Sequence, residues 1–336
     1  MTTYLTDGFG MVGDGAAVDL DFYVNWLSIG GATVVDMGDG RKYATIANLN
    51  GMHMVSKTFA SLTTFHVGMR YWWTGSASLV AWLRGSGSVA GTLGVQATGK
   101  VMYGIHNTSV TGSVKLVSTD ALNINAWNYI EWKVVLHNSA GTVDIWINGL
   151  PSGSVTGVDT VSDVGSFDQL YLAPNTASSD FAANDRITDV YVDDDFRGPQ
   201  KYLYRPAAGV GTYSTFTAVG DATIWECIDE IGVDSDTTYA KSTAAAQKFG
   251  VLCETVPAGT IKVVQPIIIA KKPLAGAATL AVGMRSGTTD DTGTAQAVAE
   301  GAYGGLAGDF YAVDPDTGVA WITAGINAAE LLVTSA

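Results

Sequence analysis

WNYIEWKVVLHNSAGTVDIWINGLP, residues 127–151, is the stretch whose reading decides the fold of this chain. It holds two alternating runs separated by Asn138, Ser139, Ala140 and Gly141, small or polar residues suited to a chain reversal. Successive strand residues point to opposite sides, so Ile130, Trp132, Val134 and Leu136 share one face and Tyr129, Glu131, Lys133 and His137 the other. If those four residues form the turn, His137 pairs with Thr142, Leu136 with Val143, Val134 with Ile145 and Trp132 with Ile147, apolar against apolar. The stretch reads as a β-hairpin with one buried face. Its opposite face, with Tyr129, Glu131, Lys133, His137, Asp144 and Trp146, mixes rings and charges and is not a plain solvent surface.

Short runs of the same kind recur outward from the hairpin. They fall at residues 54–59, 65–71, 79–84, 92–96, 101–106 and 114–117 before it, and at 169–173 and 186–192 after it. In the second of these Phe65, Val67, Met69 and Tyr71 share a face, and His66, Gly68 and Arg70 the other. The composition changes at Asp193, Asp194 and Asp195, followed by Phe196, Arg197, Gly198 and Pro199, which marks a boundary between residues 1–197 and 198–336. Beyond it strands are expected at 201–204, 223–231, 248–254, 261–271, 278–285 and 310–313, with short helical pieces at 243–247 and 326–332. The expected fold class is all-β, with two β-sandwich domains, the second smaller than the first.

The chain has 336 residues, 40 of them glycine and only 8 proline, with 15% charged side chains, which suits two globular β domains each with its own core. The net charge is −14 and no Lys/Arg cluster is present, so a nucleic-acid partner is excluded. No apolar run reaches the roughly 18 residues of a helical membrane span, and insertion into a membrane is not expected. The opening MTTYLTDGFG lacks the basic head and apolar core of a signal peptide, which points to folding in the cytosol. In that compartment Cys227 and Cys253 are expected as free thiols.

Catalytic constellations are weak. A retaining glycosidase needs two carboxylates about 5 Å apart on one cleft. The nearest pattern is WECIDE at 225–230, where Glu226 and Asp229 would point to opposite faces of a strand; Glu131 and Asp144 share a face of the hairpin without being paired. His53, His66, His106 and His137 show no metal-ligand spacing, no serine sits in a nucleophile elbow, and the glycine runs lack the Lys-Ser/Thr of a phosphate loop. The chain is therefore expected not to be an enzyme. Trp72, Trp82, Trp146 and Tyr129 lie on or near faces opposite the expected core and are candidates for stacking on pyranose rings; packing in the core or at an interface is the competing role.

Three motifs in order, WNYIE at 127–131, VDIWING at 143–149 and ITDVYV at 187–192, resemble the concanavalin A-like (laminin G-like) jelly roll. Their form is most similar to the copies found in tailed-bacteriophage virion proteins. DSDTTYA at 234–240, the strands within 263–285, and DPDTGVAW at 314–321 followed by Ile326, Asn327 and Ala328 look like the C-terminal module that accompanies it. The resemblance implies a jelly-roll first domain and a second domain for assembly or anchoring. It further implies a virion component of tail, neck, fibre or capsid surface, assembled in the host cytoplasm with copies of itself and other virion proteins, and able to contact host-surface glycans. Members of the fold often hold a structural calcium ion between the N-terminal segment and the last strand, which makes Asp7 and Asp189 the candidate Ca²⁺ ligands, with ordinary turn and edge-strand roles as the competing reading. No cofactor is required. The alternatives are a free carbohydrate-binding, lectin-like module and a polysaccharide depolymerase.

Overall fold

A computed structural model describes residues 3–7, 26–29, 32–37, 42–46, 54–56, 58–105, 113–172, 182, 184–230, 236–273 and 276–336. The chain divides into two compact units, the first ending at Tyr202 and the second running from Leu203 to Ala336. His53 and His106 lie outside the described residues.

The first unit is a two-sheet β-sandwich. Its strands are β1 (Thr3–Asp7), β2 (Trp26–Ile29), β3 (Ala32–Asp36), β4 (Lys42–Ile46), β5 (Met54–Ser56), β6 (Thr64–Trp73), β7 (Ser78–Gly85), β8 (Ser88–Val95), β9 (Lys100–Gly104), β10 (Val114–Ala121), β11 (Ala126–Val135), β12 (Gly141–Ile147), β13 (Leu150–Val158), β14 (Gln169–Leu172) and β15 (Arg186–Asp193). One sheet has the order β13-β12-β11-β6-β15-β4-β3, with β1 on β15; the other has the order β10-β9-β8-β7-β14-β5-β2. Alternation dictates the core. Phe65, Val67, Met69 and Tyr71 of β6 and Ile130, Trp132 and Val134 of β11 are fully buried, as are Leu79, Leu83, Leu93, Val95 and Leu170 of the second sheet. Each such side chain contributes roughly 1.5–3 kcal/mol by leaving water. The Trp132 Nε1–H donates to the Met102 carbonyl at 3.3 Å and ties one sheet to the other.

The hairpin forms with the expected faces but in a register two residues away from the one set by a four-residue turn. Val134 faces Val143, Trp132 faces Ile145 and Ile130 faces Ile147. The turn is longer because Leu136 and His137 leave the hairpin. The Leu136 amide donates to Thr63 O at 2.8 Å, and the His137 carbonyl accepts from Thr160 N at 3.0 Å. The His137 ring then closes the loop, its Nδ1 accepting from the amides of Ser139 at 3.1 Å and Ala140 at 2.9 Å. An even shift keeps every side chain on its face, so apolar still meets apolar. On the other face Lys133 now stands opposite Asp144, and Glu131 opposite Trp146.

The second unit contains β16 (Ala207–Ser214), β17 (Thr217–Val219), β18 (Tyr239–Lys241), β19 (Lys248–Cys253), β20 (Ile267–Ala270), β21 (Thr279–Ser286), β22 (Thr289–Asp291), β23 (Ala295–Ala297), β24 (Gly304–Ala307), α1 (Thr323–Ala328) and β25 (Glu330–Ser335). Its main sheet has the order β16-β19-β25-β21-β22 with β23 on β21, and two small two-stranded sheets accompany it. Phe216, Phe249, Val251 and Val333 form part of one core cluster, and Tyr311, Trp321, Ile326 and Ala329 belong to another.

Several sequence expectations change in this unit: residues 243–247, expected as a helical piece, form a bend and turn, and residues 310–313 contribute a single bridge at Tyr311 in place of a strand. Residues 201–204 form no strand. Residues 224–227 form a turn and not a strand, because the Glu226 carboxylate accepts from both the amide and the hydroxyl of Thr223 and so favours a local reversal. The piece expected as helix over 326–332 splits: α1 ends at Ala328, and β25 pairs with both β19 and β21 at the centre of the sheet, where Leu332 and Val333 are fully buried. Cys227 and Cys253 are free thiols.

Candidate functional site

The outer face of the β12-β11-β6-β15-β4 sheet, opposite the core, is built in rows by strand register. Lys133, His66 and Asp193 form one row; Glu131, Gly68 and Tyr191 the next; Tyr129, Arg70 and Thr188 the third. The fourth row, at the far end, is Trp127, Trp72, Arg186 and Thr45. Each row takes one residue from β11, one from β6 and one from β15, so chemistry far apart in sequence converges on one surface.

In the first three rows most of that surface is closed, with Lys133 and Arg70 at its rim half-buried. His66 Nδ1 lies 3.0 Å from Glu131 Oε1, the Tyr129 hydroxyl donates to Glu131 Oε2, and the Tyr129 and Tyr191 hydroxyls are 2.6 Å apart. Glu131 and Tyr191 are fully buried, Tyr129 is 1% exposed and His66 5%. The lid is the chain's own segment after β15. Gly198 N donates to Glu131 Oε2 at 3.3 Å, Arg70 Nε donates to Gln200 O at 3.1 Å, and Tyr202 N donates to Asp189 Oδ1 at 3.0 Å. Phe196 packs against Trp146 at 5.0 Å between centroids with the rings tilted by 42°, and Arg197 pairs with Asp193.

Burial governs the electrostatics of this enclosure. Burial first, then the Glu131 carboxylate, raises the Tyr129 hydroxyl above the usual phenol range; burial, then Tyr129 and Glu131, does the same to Tyr191. Burial also raises Tyr202, against the lowering effect of Arg197. The phenols therefore stay protonated and serve as donors. A buried carboxylate such as Glu131 is tolerable only when donors surround it, and here it has an imidazole, a phenol and an amide. Two backbone features make room. A β-carbon at Gly68 would collide with the Tyr191 ring, and the β15 pairing with β6 bulges between Thr188 and Tyr191, where Asp189 has φ +53°.

The fourth row is different. Trp72 and Trp127 meet edge to face at 5.8 Å, Tyr43 of β4 lies 5.8 Å from Trp127, and the Arg186 guanidinium sits 4.8 Å from the Tyr43 ring centre and 4.9 Å from that of Trp72. All four side chains are half-buried. They form a shelf of rings that keeps part of its surface exposed, and among the described residues no hydrogen bond or ring contact joins it to the covering segment.

The sequence candidates distribute unevenly over this geometry. Tyr129 is corrected: its ring and hydroxyl are enclosed in the Glu131 cluster and offer no stacking face. Trp146 is half-buried, and its ring packs against Phe196, so it clamps the covering segment. Trp72 stands in the open row. Trp82 belongs to β7 of the other sheet, beside Tyr171 at 6.5 Å, and is not brought near Trp72. For calcium, β1 pairs with β15 and sets Asp7 opposite Val190, so the two backbones are neighbours. Asp189 is engaged by Arg70 Nε at 3.0 Å and by Tyr202 N at 3.0 Å; the Asp7 side chain lies outside the described part of the structure. Among the described residues no group of three or more His, Cys, Asp or Glu is placed to hold a metal ion. No helix among the described residues is long and apolar enough to cross a membrane.

Sequence reasoning missed Trp127, Tyr43 and Arg186 as site residues. For Trp127 the signal was present, since alternation sets it on the face of Tyr129 and Glu131. Arg186 carries no signal until β4 and β6 are known to flank it.

No protein-family model and no curated protein matches the sequence. Solved structures with similar sandwiches include the endo-β-1,4-glucuronan lyase from the fungus Trichoderma reesei (13% identity, TM-score 0.36, 54% of this chain and 96% of that one). Others are the PL-14 alginate lyase from Aplysia kurodai (10%, TM-score 0.37, 59% and 100%) and the SAP-like pentraxin from Limulus polyphemus (13%, TM-score 0.33, 44% and 72%). At these identities the likeness concerns the β-sandwich alone. The expectation that the chain is not an enzyme is corrected: it rested on a missing glycosidase carboxylate pair, which does not bear on other sugar-cleaving chemistry, and polysaccharide lyases stand among these structures.

Proposed function

We propose that the first unit is a glycan-contacting β-sandwich and that the chain serves as a structural component of a tailed-phage virion. The observation that carries the glycan reading is the fourth row, where Trp72 and Trp127 are held edge to face and keep part of their surface exposed at the end of the sheet face. Rings fixed this way present a rigid apolar surface to the C–H face of a pyranose at little entropic cost. The virion reading is supported by the resemblance of the three motifs, which fall on β11, β12 and β15 of one sheet, and by the C-terminal motif, whose Trp321 and Ile326 build a core cluster of the second unit. Self-association is supported by Val313, Val319 and Ile322 on that unit, which are 46%, 61% and 66% exposed around one turn.

A glycan array probed with the full chain and with Trp127→Ala tests the first part: binding that the substitution abolishes supports it, and equal binding by both proteins removes the open row from the function. Antibody labelling of intact virions tests the second, with particle-bound signal expected. Light scattering is expected to return a mass above that of one chain.

A further inference from the structure

Arg186 differs from the other described arginines. Arg70 is paired with Asp189, Arg197 with Asp193 and Arg285 with Asp290, while Arg84 donates to the Gly87 carbonyl and Arg205 to the carbonyls of Cys253, Glu254 and Ile326. Arg186 has, among the described residues, neither a carboxylate nor a carbonyl partner. Its contacts are the Tyr43 and Trp72 rings at 4.8 and 4.9 Å. This is unusual in a chain with 32 acidic and 18 basic side chains, where carboxylates are plentiful. A guanidinium held over two ring centres is restrained by the cation–π attraction, and N–H donors with no carboxylate or carbonyl partner remain available to bind a planar anion in bidentate fashion. A carboxylate is the matching shape.

The same row supplies what an anion alone would not need. Trp72 touches both Arg186 and Trp127, so a cation and a partly exposed indole shelf are adjacent on one surface. Free carboxylates such as acetate would use only the guanidinium; a sugar bearing a carboxylate would use both.

We infer that the Trp127–Trp72–Arg186–Tyr43 row is a binding site for an acidic glycan, in which Arg186 holds the carboxylate of a uronic or sialic acid unit and the indoles carry the ring. The inference rests on the glycan reading above and narrows it to a ligand class. Arg186 sets the preference for charge, and Trp72 and Trp127 supply affinity for charged and neutral sugars alike.

Calorimetric titration of the full chain with paired probes separates these roles: oligogalacturonate against its methyl ester, and sialyllactose against lactose. The wild-type chain is expected to bind the charged member of at least one pair about ten-fold or more tightly than the neutral one, the range of a charge-assisted hydrogen bond. Which pair responds tells uronate from sialate. Arg186→Gln is expected to bring the ratio within about three-fold, the level left without that bond, with a melting temperature within a few degrees of the wild-type value. Arg186→Lys, which keeps the charge and loses the planar fork, is expected to fall between and serves if the glutamine variant does not fold. Equal binding of charged and neutral members would overturn the acidic class and leave the glycan reading standing. Binding of none of the four probes would count against both. A charge preference that survives Arg186→Gln and Arg186→Lys would place the carboxylate elsewhere and overturn the site.

Discussion

The two ends of one sheet face have been put to different uses. From Lys133 to Tyr129 the outer face of β11, β6 and β15 is roofed by residues 196–202 and becomes a second, polar core; at Trp127 the same strands present rings to solvent. Strand periodicity is identical in both regions, so the difference does not come from the strands. It comes from what the chain does after β15, where Gly198, Gln200 and Tyr202 place backbone groups on Glu131, Arg70 and Asp189. A polar face can thus be structural or available depending on a segment that is itself no part of the sheet.

If the comparison is right, perturbations at the sealed end cost stability and those at the open end cost binding. The largest effect is expected in alkali. Tyr129, Tyr191 and Tyr202 have hydroxyls raised by burial, so the folded state holds protons that the unfolded state releases above about pH 10. Stability is complete below that pH and falls above it, by roughly 1.4 kcal/mol per phenol for each pH unit. Ultraviolet titration should show these phenols ionising together with unfolding; gradual ionisation of a folded chain would break the comparison. Glu131→Ala strands the His66, Tyr129 and Gly198 donors and should cost about 3–5 kcal/mol in urea titration. Gly68→Ala drives a methyl into the Tyr191 ring and should cost about 1–3 kcal/mol by the same measurement. Phe196→Ala releases one clamp on the covering segment, for about 1 kcal/mol, and should speed amide exchange at Gly198 and Tyr202. Arg186→Gln, at the open end, should change stability by about 1 kcal/mol or less.

The faces of the hairpin were legible because they depend only on parity. Its register was not, because the length of the turn is set by Thr63 and Thr160, residues far from it in sequence, acting on Leu136 and His137. Composition pointed to residues 193–199 as a domain boundary, since three aspartates and a Gly-Pro look like a linker. The structure carries the first unit on to Tyr202, as Asp193 is buried against Arg197 and the segment after it packs on the sheet. For the same reason Tyr129 looked like a surface ring: nothing in the hairpin announces a cover that comes some seventy positions later. The Arg186 shelf was hidden in another way, its rings being supplied by β4 and β6 on either side of β15.

The roof also sets an order of events during synthesis. His66 and Glu131 leave the ribosome well before residues 198–202, so the nascent first unit can zip its inner core while its outer polar face still lacks three of its backbone contacts. Closure waits for the last residues of the unit. A chain released at Arg197 would keep the partners of the Asp193 pairing but lack the Gly198 amide, the Gln200 carbonyl and the Tyr202 amide, leaving Glu131, Arg70 and Asp189 each short of one backbone contact.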